Sequence, residues 1–71
     1  MNPEAGELWS FDMNRGRDGQ TIISLYLLLE KRQDDTYGHL YRAMLIETGE
    51  IIPDLIIDSE TIRAFYGKRV G

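Results

Sequence analysis

Cysteine is absent from this 71-residue chain, so disulfides and thiolate zinc sites are excluded. A single histidine, His39, provides no imidazole set for a metal centre. Basic residues are few, eight Lys and Arg against twelve Asp and Glu, for a formal net charge of −4. That balance argues against broad nucleic-acid binding, which needs basic surface to displace counterions. It is also too mild for a mimic of DNA. Long apolar runs are missing: the longest, Leu25–Leu29, falls far short of the ~20 residues of a membrane span. Met1–Gly6 has neither a basic start nor an apolar core, so no secretory signal is expected and the expected compartment is the cytoplasm. No repeat or low-complexity tract occurs. A chain this short makes one domain that buries only about 60% of its unfolded surface. Small scaffolds offset so thin a core with disulfides, metals or self-association, and of these only association is open.

What is present reads mainly as β-structure. Met1–Gly6 is polar and predicts a loose lead-in, leaving residues 7–71 as the single domain. Glu7–Met13 alternates, with Trp9, Phe11 and Met13 on one face, as a half-buried strand does. Asn14–Gln20 has two glycines and no apolar residue, and predicts a loop. Thr21–Arg32 is dense in β-formers and predicts a strand apolar on both faces, a helix being the rival. Gln33–Gly38 is a turn, His39–Glu47 a third strand, and Glu50–Ile57 a fourth whose Pro53 implies an edge or a bulge. Between the last two, Thr48 is poor at positive φ, so a three-residue loop with Gly49 in the left-handed position is expected, pairing Ile46 with Glu50. After Asp58 or Ser59 as a cap, Ile62, Phe65 and Tyr66 suit a short helix stopped by Gly67; a 3₁₀ turn followed by a fifth strand, Arg63–Val70, is the alternative.

The hairpin register makes a face of Tyr41, Ala43, Leu45, Ile51, Leu55 and Ile57, a good core. The opposite face, with Leu40, Arg42, Met44, Ile46, Ile52, Asp54 and Ile56, is also mostly apolar. The second strand repeats the pattern, its odd positions from Ile23 to Leu29 lying opposite Ile22, Tyr26 and Leu28. One small core does not use both sets, so either the C-terminal segment or a partner covers the second. The expected partner-binding set is Ile22, Tyr26, Leu28, Leu40, Met44, Ile46, Ile52 and Ile56, serving another protein or a homodimer.

Gly6-Glu7-Leu8-Trp9, Tyr26-Leu27-Leu28-Leu29-Glu30, Leu45-Ile46-Glu47-Thr48-Gly49-Glu50-Ile51 and Ser59-Glu60-Thr61-Ile62 follow a recurrent layout. Over most of residues 6–66 it resembles the SH3-like small barrels among uncharacterised short proteins of bacteriophages. The resemblance implies an antiparallel barrel of four to five strands with a short C-terminal helical segment and no known activity. It implies also an accessory or host-modulating role in the host cytoplasm. Pro53 and the Phe65-Tyr66-Gly67 ending depart from that layout. Glu7-Leu8-Trp9-Ser10-Phe11-Asp12 is fainter in its similarity to the first strand of mRNA-interferase toxins, which implies a ribonuclease. Those toxins continue with an Arg-Pro step carrying the catalytic arginine, where this chain has Gln20-Thr21-Ile22-Ile23.

Candidate chemistry is sparse. His39 has no Ser or Cys partner at a recognisable spacing. Asp34-Asp35 lacks the ligand spacing and closing Glu of a calcium loop. Glu47 and Glu50 flank a hairpin, as charged turn ends do. Arg15-Gly16-Arg17-Asp18-Gly19 has neither the spacing of a phosphate loop nor a following helix. No catalytic residue, metal or cofactor is therefore expected, and the reading is a non-enzymatic protein-interaction module. The alternative is a nucleic-acid-associated barrel using Arg15, Arg17, Lys68 and Arg69.

Overall fold

The computed structural model describes residues 2–12 and 22–71. The loop expected over Asn14–Gln20, with Arg15 and Arg17, and Met13 lie outside the described residues. Five strands and one helix follow in the order β1 (Leu8–Asp12), β2 (Ile23–Asp34), β3 (Gly38–Leu45), β4 (Ile51–Leu55), α1 (Ser59–Ala64) and β5 (Lys68–Arg69). The strands form one antiparallel sheet of order β4-β3-β2-β1-β5. The fold is thus mainly β, as expected. Both readings of the C-terminal segment contribute, since a short helix precedes a fifth strand of only two residues.

The aromatic residues of β1 determine which face is inside. Trp9 and Phe11 are buried side by side, ring centroids 6.2 Å apart, and Phe11 meets Tyr26 edge-on at 5.8 Å. Trp9 pairs with Tyr26 across the ladder, and Leu28 with Ala43, so the even positions of β2 join the odd positions of β3 in the core. Leu28 and Ala43 are fully buried, and Tyr41 nearly so. Ile57 completes the cluster, with Leu45, Ile52, Leu55, Ile62 and Phe65 packed around it.

Two irregularities adjust this register. Leu28 pairs with Ala43 and Glu30 with Arg42, leaving Leu29 as the extra residue of a bulge. On the other side of β3, Ala43 pairs with Ile52 and Tyr41 with Leu55, which places a bulge at Pro53-Asp54. Pro53 therefore sits in an edge strand and at a bulge, where the missing N–H costs least.

The β3–β4 loop corrects the expected register. The Leu45 N–H donates to the Glu50 carbonyl at 2.9 Å and Gly49 N–H to that of Leu45 at 2.8 Å, so the loop is the four residues 46–49, not three. Gly49 does take the left-handed conformation, φ 76°. The additional residue exchanges the faces of β4: Ile52, expected outside, packs on the core, and Ile51, expected inside, is exposed.

The N-terminal segment, expected to be a loose lead-in, is packed in. Pro3 is among the most completely buried side chains, and the Tyr41 hydroxyl donates to its carbonyl at 2.9 Å. Burial raises the Tyr41 pKa, keeping that hydroxyl protonated as a donor. Glu4 pairs with Lys31 at 2.8 Å, and the Gly6 N–H donates to Leu28 at 2.7 Å, extending the β1–β2 ladder backwards.

Asp58 caps α1, its Oδ1 accepting the Thr61 N–H at 2.8 Å, and those bonds hold its pKa below the ordinary value. The expected stop is displaced by one residue: Tyr66 carries the positive φ of 51°. Gly67 is needed for closeness instead, because a Cβ there would collide with the Phe11 ring and lie 3.3 Å from Ile62 Cα.

Candidate functional site

With the even positions of β2 up to Leu28 committed to the core, the odd positions before the Leu29 bulge face out. Leu8 pairs with Leu27, Leu27 with Met44, and Met44 with Ile51. Trp9 pairs with Arg69 in β5, and continuing that register Val70 lies beside Leu8, whose carbonyl accepts its N–H at 2.8 Å. One row, Val70-Leu8-Leu27-Met44-Ile51, therefore crosses the whole sheet with no polar side chain. The next row runs Lys68-Ser10-Leu25, and Ile46 is joined to it through its N–H on the Leu25 carbonyl. Val70, Ile46 and Ile51 are exposed, and Leu8, Leu25, Leu27 and Met44 half-buried. A second apolar face exists, then, but on a different set of residues from the one expected.

The expected binding residues divide between the two faces. Met44 and Ile46 lie on the outer face, and Leu40 lies on the same side of β3, half-buried. Ile22 precedes β2 and is 53% exposed. Tyr26 and Leu28 are core residues and unavailable to a partner, because Trp9 and Phe11 draw the even positions of β2 inward. Ile52 packs against the core through the four-residue loop. Ile56 follows β4 and shares a small apolar cavity of about 260 Å³ with Phe11, Tyr26, Leu55 and Phe65. Leu8, Leu25, Leu27, Ile51 and Val70 were missed. The signal for Leu8, Leu25 and Leu27 is Trp9, since pairing its strand with the next in a common register fixes the faces of β2 as far as Leu28; Ile51 depends further on the β3–β4 loop.

On the core side of the sheet a wider groove of about 800 Å³ opens between residues 2–3, β1, α1 and β5. Pro3, Trp9, Ile57 and Ile62 line it, together with Arg63, Lys68 and Arg69. The Trp9 indole N–H donates to Glu7 Oε1 at 2.9 Å, and Arg69 lies 3.4 Å from the other Glu7 oxygen. The indole bond, a backbone bond from the Glu4 N–H and the Arg69 charge hold the Glu7 pKa below the ordinary value. Lys68 and Arg69, both named for the nucleic-acid alternative, are thus brought together, joined by Arg63 from the helix.

The remaining chemistry-bearing positions are separate. His39 is exposed opposite Gln33, and Asp34 Oδ2 accepts the N–H groups of Thr36 and Tyr37, which explains the turn. Among the described residues, no three His, Asp or Glu side chains gather as a metal site would require, and no helix is long and apolar enough to cross a membrane. The chain matches no known protein family, no curated protein and no solved structure.

Proposed function

We infer that this protein is a non-enzymatic interaction module that docks through the outer face of its sheet. A second copy of the chain is the first occupant to test. The observation that supports the reading is the unbroken apolar row Val70-Leu8-Leu27-Met44-Ile51, backed by Leu25 and Ile46. Sheet faces of folded domains ordinarily alternate apolar-in with polar-out, and here one outward row is apolar from edge to edge.

Size sets the strength of such an association. Five strands at ~4.8 Å spacing and about five residues of ~3.3 Å rise give a face of roughly 400 Å². A standard interface buries about 800 Å² per partner. Half that area supports a reversible, concentration-dependent contact rather than an obligate dimer. Edge-to-edge pairing is disfavoured on the β4 side, where Pro53 and its bulge break the row of free donors. The apolar row makes the sheet face, rather than that edge, the surface to test. The resemblance to phage barrels extends the reading to a host protein as the natural partner.

Sedimentation over a wide concentration range tests the first form. The wild type is expected to move from monomer toward dimer, and Met44→Glu to remain monomeric with an unchanged melting curve. A wild type that stays monomeric throughout would overturn self-association. A Met44→Glu protein that unfolds would show that the face belongs to the core.

A further inference from the structure

The groove beside Trp9 lies on the other side of the sheet and does not depend on the outer face. The geometry points to it as a docking site for a peptide segment that combines acidic with apolar side chains. Its volume, about 800 Å³, lies within the ~300–1,000 Å³ range of ligand clefts and accommodates a few side chains. Pro3, Ile57 and Ile62 give it apolar walls, and Trp9 forms its base.

Charge selects the ligand. The chain carries a net −4, and of its eight lysines and arginines, six are described. Three of these, Arg63, Lys68 and Arg69, line this one groove. Elsewhere Lys31 is paired with Glu4 and Arg32 with Asp54. Among the described residues, Arg42, Arg63 and Lys68 have no ion pair, and two of these three line the groove. Arg69 has Glu7 at 3.4 Å, so its charge is partly met by a half-buried carboxylate. Asp58 also lines the groove, but its Oδ1 is engaged by the Thr61 N–H in capping α1. An acidic protein thus presents unneutralised cations beside an apolar cleft. A carboxylate can be held in two-point contact by either arginine while a neighbouring apolar side chain enters against Ile57 and Ile62.

Nucleic acid suits this groove less well. Single strands bind by stacking bases on open aromatic faces, and Trp9 is only 3% exposed.

Trp9 is the sole tryptophan, so its indole N–H resonance reports the site directly. The full chain would be titrated with a pool of short peptides randomised over Asp, Glu, Leu and Phe. A matched pool with Lys and Arg in place of the acids, and a single-stranded oligonucleotide, complete the experiment. The acidic pool is expected to shift the Trp9 indole and the Lys68 and Arg69 amides saturably, less so at high salt. In the double variant Arg63→Glu/Lys68→Glu, both positions exposed, affinity should fall at least about tenfold with the melting curve unchanged. Met44→Glu, on the opposite face, should bind as the wild type does. A silent Trp9 indole, an equal response to both peptide pools, or undiminished binding by the double variant would overturn the proposal. Tighter binding of the oligonucleotide would overturn it too, and assign the groove to nucleic acid.

Discussion

Leu27 and Leu28 are the same residue type at adjacent positions of β2, and truncating each to alanine tests the assignment of faces. Leu28 is fully buried in the core, whereas Leu27 lies half-buried on the outer face. Leu28→Ala removes the transfer energy of the lost carbons and leaves a cavity, together about 3 kcal/mol within the usual range of ~2–5. At roughly 0.05–0.15 kcal/mol per residue, a domain of this length holds only about 4–11 kcal/mol. The substitution therefore takes a large part of the total and lowers the melting temperature by about 12–24 °C. Leu27→Ala removes fewer contacts and should cost on the order of 1 kcal/mol in the monomer. Urea unfolding followed by Trp9 fluorescence gives both values, with a constant slope confirming that only stability has changed. Protein concentration adds a second axis. If the outer face is shared between copies, the cost of Leu27→Ala grows as the protein is concentrated, and that of Leu28→Ala does not. A Leu27→Ala cost equal to or above that of Leu28→Ala in dilute solution would refute the face assignment and everything built on it.

Three further outcomes follow from single contacts. Gly49→Ala should cost about 1 kcal/mol in chemical unfolding through backbone strain alone, since φ is 76° and nothing lies within 4 Å of the new Cβ. Tyr41→Phe should cost about 1 kcal/mol, leave the Pro3 carbonyl without its donor, and speed hydrogen exchange at the Gly6 amide. The carboxyls of Glu7 and Asp58 both have lowered pKa values in the fold, so their stabilisation is present above the unfolded values near about 4 and lost as pH falls through the folded ones. Acid titration of Glu7→Gln should show a shallower loss of stability than wild type; an identical slope would discount the Trp9–Glu7 bond.

How much of this was legible in the residues differs by element. Strand content, the turn chemistry of Asp34, the left-handed Gly49, the Asp58 cap and the meaning of Pro53 all follow from local rules that act within a few residues. Faces do not, because they depend on register between strands. β2 is apolar at both parities, so alternation alone could not say whether Tyr26 or Leu27 points inward. The four-residue loop then moved Ile51 and Ile52 by one position, and the bulge at Pro53-Asp54 returned Leu55 to the expected side. The groove was invisible for a further reason: Arg63, Lys68 and Arg69 come to line one groove with Pro3 and Trp9 only when β5 returns to lie against β1.

The bulge at Leu29 also decides the sign of a charge. With Leu29 looped out, Lys31 stands opposite Tyr41, its Nζ 5.9 Å from the ring centre and bonded to Glu4. In an uninterrupted ladder continuing from Leu28–Ala43, the residue opposite Tyr41 would be Glu30. That carboxylate would meet the negative face of the ring and the like charge of Glu4, and the N-terminal segment would lose its tether. Deletion of Leu29 alone would keep Glu30 opposite Arg42 and Lys31 opposite Tyr41, only straightening the strand. Insertion of one residue at the same point would undo both pairings. This strand should accept shortening where it resists lengthening, a polarity in how its length can vary.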